Sequence, residues 1–177
     1  VDRAPTVTTV TCPVVAYYTG SALTPCTATV TGPGLNLTVT PDYFDNTAIG
    51  AATAQYAFPG DASYLPSSGS ASFLIRIPVN VTASSGSITY GANIPSITAT
   101  ITPSVPLGSF TVAPVCGVYA TTDTTYSTAL TGVQNAGTYV THCTGGTSPT
   151  YWGVPVDGTL TINKAATTAT VLCDPTT

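Results

Sequence analysis

At 177 residues the chain has room for one large domain or two small ones. Charged residues make up 6% of it, against a usual share of about a quarter, and the net charge is −4. Three cations, Arg3, Arg76 and Lys164, form no basic patch, which argues against nucleic-acid binding, and one histidine, His142, cannot build a histidine-rich metal site.

Glutamate and methionine are absent, while 37 threonines, 10 tyrosines, 16 glycines and 15 prolines favour pleated strands joined by turns. Hydrophobic residues at 43% supply a core, so the chain reads as folded and all-β. No run of about 18 apolar residues occurs, so no membrane insertion is expected in this segment. The chain opens at Val1 without a signal peptide, which reads as a mature form or an excised piece.

In chain order, Thr6–Thr11, Cys26–Val30 and Leu35–Thr40 alternate as strands, with a turn at Pro33-Gly34. Pro41-Asp42 and Asp45-Asn46 mark a loop, and Ala51–Phe58 reads as a strand. Pro66-Ser67-Ser68-Gly69 breaks the chain before a strand at Ser72–Ile77. Pro78 then interrupts, and a second series follows: Val79–Ala83, Ile88–Tyr90, Ile97–Ile101, Ser109–Val112, Val118–Thr122, Gly137–Cys143 and Gly158–Ile162. The expected domains are 1–78, whose strand spacing is that of a β-sandwich, and 79–165, a second all-β unit.

Cys12 and Cys26 flank one hairpin, and Cys116 and Cys143 sit in a second strand-rich region. No C-x-x-C pair is present, so the expected arrangement is two disulfides, 12–26 and 116–143, in an oxidising compartment. Buried free thiols are the alternative. Cys173 is left over. The start of the chain recurs at an offset of 161: Asp2, Arg3, Ala4, Thr9, Val10 and Cys12 meet Asn163, Lys164, Ala165, Thr170, Val171 and Cys173. Residues 166–177 therefore read as the first strand of a further repeat, or as a strand donated to a neighbouring subunit. Thr170, Val171 and Cys173 are its expected inter-repeat contacts.

Two segments carry resemblances. Tyr18-Thr19-Gly20-Ser21-Ala22-Leu23-Thr24-Pro25-Cys26-Thr27-Ala28-Thr29-Val30, with Gly60-Asp61-Ala62 before Ser72-Phe73, resembles bacterial immunoglobulin-like repeats of surface proteins. The second half is similar to MBG-type adhesin repeat domains. It opens with Val81-Thr82-Ala83, Thr89-Tyr90-Gly91 and Pro95, and closes with Ala136-Gly137-Thr138-Tyr139, Gly145-Gly146, Tyr151 and Gly158-Thr159-Leu160-Thr161-Ile162-Asn163-Lys164-Ala165. The resemblance implies two tandem immunoglobulin-like β-sandwich domains. It also implies extracellular, non-enzymatic service in a fibre, stalk or adhesin, with neighbouring copies of the repeat as partners.

Candidate chemistry is sparse. His142 and Cys143 are adjacent, and alternate strand residues face opposite ways, so they share no pocket; His142 is expected to be an exposed strand residue. Asp42, Asp45, Asn46 and Asp61 are the candidate calcium ligands, although aspartate is also a common turn former. Lys164 is the one lysine for an isopeptide bond, against which Arg3 at the equivalent position argues. Asn36 and Asn80 match the glycosylation pattern. In Tyr17-Tyr18 and Tyr151-Trp152 one ring of each pair is expected in the core and the other in solvent. Exposed Tyr18 or Trp152 would be the contacts of a carbohydrate- or surface-binding module, the alternative function.

Overall fold

The computed structural model describes residues 2–104 and 109–171, and among these it is all-β with no α-helix. Thirteen strands run in chain order: β1 Val7–Thr11, β2 Val15–Tyr17, β3 Thr27–Gly32, β4 Leu35–Val39, β5 Asp42–Phe44, β6 Gly50–Phe58 and β7 Ser67–Ala83. Then follow β8 Gly86–Thr89, β9 Ala99–Thr102, β10 Val115–Tyr119, β11 Gly137–Thr144, β12 Tyr151–Val156 and β13 Gly158–Asn163.

The chain divides into two compact units. One is Val1–Val79 with Ser109–Thr111 and Thr147–Trp152; the other is Asn80–Gly108 with Val112–Gly146 and Gly153–Thr177. The two short excursions depart from the contiguous domains read from the sequence. Ile77 N–H donates to Thr150 O at 2.8 Å, and Phe110 meets Tyr151 edge-on at 6.0 Å, which holds both excursions in the first unit.

In the first unit β1, β3 and β4 form an antiparallel sheet, while β6 pairs with β5 and β7 and β2 joins β7 in parallel. Both sheets contribute to one core: Cys26, Ala52, Ala54, Phe73 and Ile75, with Val10, Cys12, Ala16, Leu23 and Tyr43 against them. The apolar volume is small, because alanines hold positions that larger side chains usually fill. Close approach follows. A Cβ on Gly69 would lie 2.5 Å from the Thr8 carbonyl oxygen, so β7 passes β1 only because residue 69 has no side chain. Beside it the Ser67 hydroxyl lies 2.8 Å from that of Thr6 and 2.7 Å from that of Thr8.

Cys12 and Cys26 are bonded. The Tyr43 hydroxyl donates to Cys26 O at 3.0 Å and accepts from Cys26 N–H at 2.9 Å, and its ring meets Phe73 edge-on at 6.3 Å. The cystine and the tyrosine thus fix the same residue from both sides.

The second unit has a four-stranded sheet, β10-β11-β13-β8, antiparallel except for the β13–β8 pair. Residues Asn80–Ala83 of β7 pair with β9. Cys116 and Cys143 stand opposite each other in the β10–β11 register and are bonded. Cys143 joins Val81 and Ala83 in one cluster; Val118, Leu160 and Ile162 form another. A Cβ on Gly158 would meet both Ala83 O and Thr141 Oγ1 at 2.5 Å.

Several sequence expectations change. β7 continues through Pro78 and begins at Ser67, so neither the Pro66–Gly69 stretch nor Pro78 ends a strand. On one side of β7 the β2 partners stop at Arg76 and the β9 partners start at Asn80. Pro78 falls in that gap, where its missing N–H breaks no ladder bond. Ser109–Val112 is not a strand; Val112 makes only a bridge. β5 lies in the stretch read as a loop, and β2 and β12 lie where no strand was assigned from the sequence.

Two outcomes are expected. Gly69→Ala lowers the stability of the first unit by about 1–3 kcal/mol, read by urea unfolding, because backbone must move to admit the methyl group. Replacing Cys12 and Cys26 together with alanine costs about 3 kcal/mol and lowers its thermal midpoint by several degrees.

Candidate functional site

The disulfide positions Cys12, Cys26, Cys116 and Cys143 lie beside or within the core clusters. Two disulfides fit an oxidising, non-cytoplasmic environment. Among the described residues no helix is long and apolar enough to cross a membrane. Thr170 and Val171 are exposed and belong to no strand, and Cys173 lies outside the described residues.

Among the described residues no group of three His, Cys, Asp or Glu side chains is placed to hold a metal. Asp61 Oδ1 instead accepts from the N–H groups of Ser63 and Tyr64, at 2.7 and 2.8 Å, and Asn46 Nδ2 donates to Leu23 O at 2.9 Å. Asp61 thus folds its own turn, and Asn46 ties two segments 23 residues apart.

His142 is the main correction: it is 6% exposed rather than a surface strand residue. Its Nδ1–H donates to Asp157 Oδ1 at 2.6 Å, and Tyr126 O–H donates to Asp157 Oδ2, also at 2.6 Å. The Tyr126 ring lies flat on the imidazole, 3.6 Å between centroids and 6° between planes, and Tyr119 meets both rings edge-on. Tyr126 has φ 52°, a left-handed conformation that a bulky residue adopts only when its surroundings hold it. Here a stack and a charge-assisted hydrogen bond do so.

Asp123 organises the approach to Tyr126. Its carboxylate accepts from Thr128 N–H, Thr125 Oγ1–H and the Thr125 and Ser127 N–H groups, at 2.9–3.2 Å. Those bonds, led by the one from Thr128, hold its carboxyl below the ordinary aspartate value against some desolvation. Burial works to raise Asp157, but the hydrogen bonds from Tyr126 and His142 outweigh it and leave the carboxyl lowered. The same bond to Asp157, with burial and nearby negative charge, pushes the Tyr126 phenol up. The cluster ties the loop between β10 and β11 to the start of β13. One imidazole face is closed by the Tyr126 ring. Sequence spacing carried no sign of it, because Tyr126, His142 and Asp157 come from three separate stretches.

Neither tyrosine of the 17–18 pair is in the core: Tyr17 is 48% and Tyr18 39% exposed. Tyr151 and Trp152 are both half-buried, so neither pair splits into one inward and one outward ring. Trp152 lies under the Arg76 guanidinium, with Cζ 5.5 Å from the ring centroid. Arg76 went unmarked in the sequence because a single cation in a strand carries no motif. No protein-family model matches the chain, and a search of curated proteins finds no similar one.

The cluster sets an acid dependence. A carboxyl lowered on folding stabilises fully above the unfolded aspartate value of about 3.9, and that contribution is lost as pH falls through the lower folded value. Thermal midpoints of the second unit should therefore decline below about pH 4. Asp157→Asn should lower the neutral-pH midpoint and flatten this decline. An unchanged slope in the variant would assign the acid sensitivity elsewhere.

Proposed function

We propose that the chain is a structural repeat segment of an extracellular fibre, stalk or adhesin, made of two disulfide-stabilised immunoglobulin-like β-sandwich domains and without enzymatic activity. The resemblances to bacterial immunoglobulin-like and MBG-type repeats point the same way. The partners are neighbouring copies of the same repeat.

One observation carries this reading: the segment that recurs at offset 161 is the one that forms β1 and brings Cys12 to Cys26. A copied strand with a copied cysteine has its use in a further unit that supplies the equivalents of β3 and Cys26. Support also comes from the even distribution of cystines, one to each compact unit. Extracellular placement fits the cystines and the scarcity of trypsin-cleavable residues.

The test is a chain carrying the segment in tandem copies. Cys173 is expected to pair with the cysteine 14 residues after it, the spacing of Cys12 and Cys26, in non-reducing peptide maps. Electron micrographs are expected to show a thread that lengthens by a constant step per copy. A free Cys173 thiol, or a length that does not grow with copy number, sinks the reading.

A further inference from the structure

Arg76 is the one cation on a described strand. Phe73 and Ile75 of β7 enter the first unit's core, so Leu74 and Arg76 leave the opposite face of the strand. Ala16 of β2 also faces that core, which sends Tyr17 outward. Tyr17 is the register partner of Arg76 in the parallel β2–β7 pair. The two residues therefore stand on one face, about 4.8 Å apart along the hydrogen-bonding direction.

The third member comes from the other flank. Arg76 O accepts from Tyr18 N–H on the β2 side, while Ile77 N–H donates to Thr150 O on the other, just before β12. Trp152 of β12 lies beneath the guanidinium from that flank. Tyr17, Arg76 and Trp152 thus make a row across the outer face of the sheet, all within the first unit.

No carboxylate answers the guanidinium. Among the described residues the one ion pair is His142–Asp157, and Arg76 Nε is buried without a hydrogen-bond partner. The buried Nε is out of a ligand's reach, but the outer N–H groups of the guanidinium also lack a partner among the described residues, and a ligand on this face can meet those.

We infer that this row is a binding site for a carboxylated sugar, a uronic-acid-type residue. The guanidinium fork matches a carboxylate with two parallel hydrogen bonds. Tyr17, exposed beside it, offers an aromatic face to the C–H face of the sugar ring. Trp152, with the guanidinium over its ring, limits where the fork can swing. One cation in a chain of net charge −4 does not attract a polyphosphate backbone. An acidic peptide would gain most by adding a strand at a sheet edge, but at Arg76 both sides of β7 are already bonded, so only the face is open. A single fork and ring make a weak site. If the proposed repeat array is correct, copies along a thread raise the avidity without new contacts.

The site needs only this chain, so its test is independent of the fibre reading. Trp152 is the sole tryptophan and reports directly by its emission. Titration with glucuronate is expected to give a saturable change in the millimolar range. Glucose, which lacks the carboxylate, and acetate, which lacks the ring, should each bind about tenfold more weakly or worse. Arg76→Lys keeps the charge but loses the fork, and should weaken glucuronate binding about tenfold. Tyr17→Ala alters an exposed ring and should weaken it severalfold while leaving the thermal midpoint unchanged. The inference is overturned by absence of saturation with glucuronate, by acetate binding as tightly, or by Tyr17→Ala binding like the wild type. An aspartate-rich peptide that binds more tightly than glucuronate overturns it in favour of a protein partner.

Discussion

Each unit has small apolar clusters rather than one large core, and a cystine lies within or against one of them in each. In the first unit alanines 52 and 54 occupy central positions, and Phe73 and Ile75 provide most of the buried bulk. In the second, Cys143 is itself a core residue, packed with Val81 and Ala83. A cross-link that restricts the unfolded chain contributes about 3 kcal/mol, a large part of the roughly 5–15 kcal/mol by which a domain is stable. The surroundings are arranged around it. Tyr43 clamps the backbone of Cys26 through both its N–H and its C=O, and the β10–β11 register sets Cys116 directly opposite Cys143.

Small side chains have a second consequence: backbones come close. Gly69 against Thr8 and Gly158 against Ala83 leave no space for a methyl group. At such separations hydroxyls replace hydrocarbon as the material between strands. Ser67 between Thr6 and Thr8 shows this, as does Thr141 Oγ1–H donating to Ser84 O at 2.9 Å. The abundance of threonine thus serves two needs. It suits the extended backbone, and it satisfies polar groups locally where long charged side chains would not fit.

The all-β class was legible because composition alone carries it, and the disulfide pairing because each pair brackets its own strand-rich stretch. The strands that escaped are short or interrupted. β2 and β5 have three residues each, too few for alternation to register, and β12 contains Gly153 and Pro155. Pro78 misled for a different reason. A proline breaks a strand only where its N–H has a ladder bond to make, and that depends on partners from distant parts of the chain. His142 was placed outside because strand alternation was the only guide to it. What buries it is a loop tyrosine that no periodicity connects to β11.

Charge is so scarce here that its placement is informative. Asp123 and Asp61 each fold a turn by accepting backbone N–H groups, and Asp157 closes a three-residue cluster around the lone histidine. All three lie within a few residues of a strand end, Asp61 and Asp123 bonding their own turns and Asp157 bonding residues distant in sequence. Arg76 differs: it stands mid-strand, on the face turned from the core, over the ring of the one tryptophan and opposed by no carboxylate among the described residues. Packing alone does not call for a guanidinium there, since a leucine would cover the indole with no buried donor left unmet. In a chain that otherwise replaces charge with hydroxyl groups, that residue is the clearest local departure from economy of structure, and a ligand carboxylate is the group that would remove the departure.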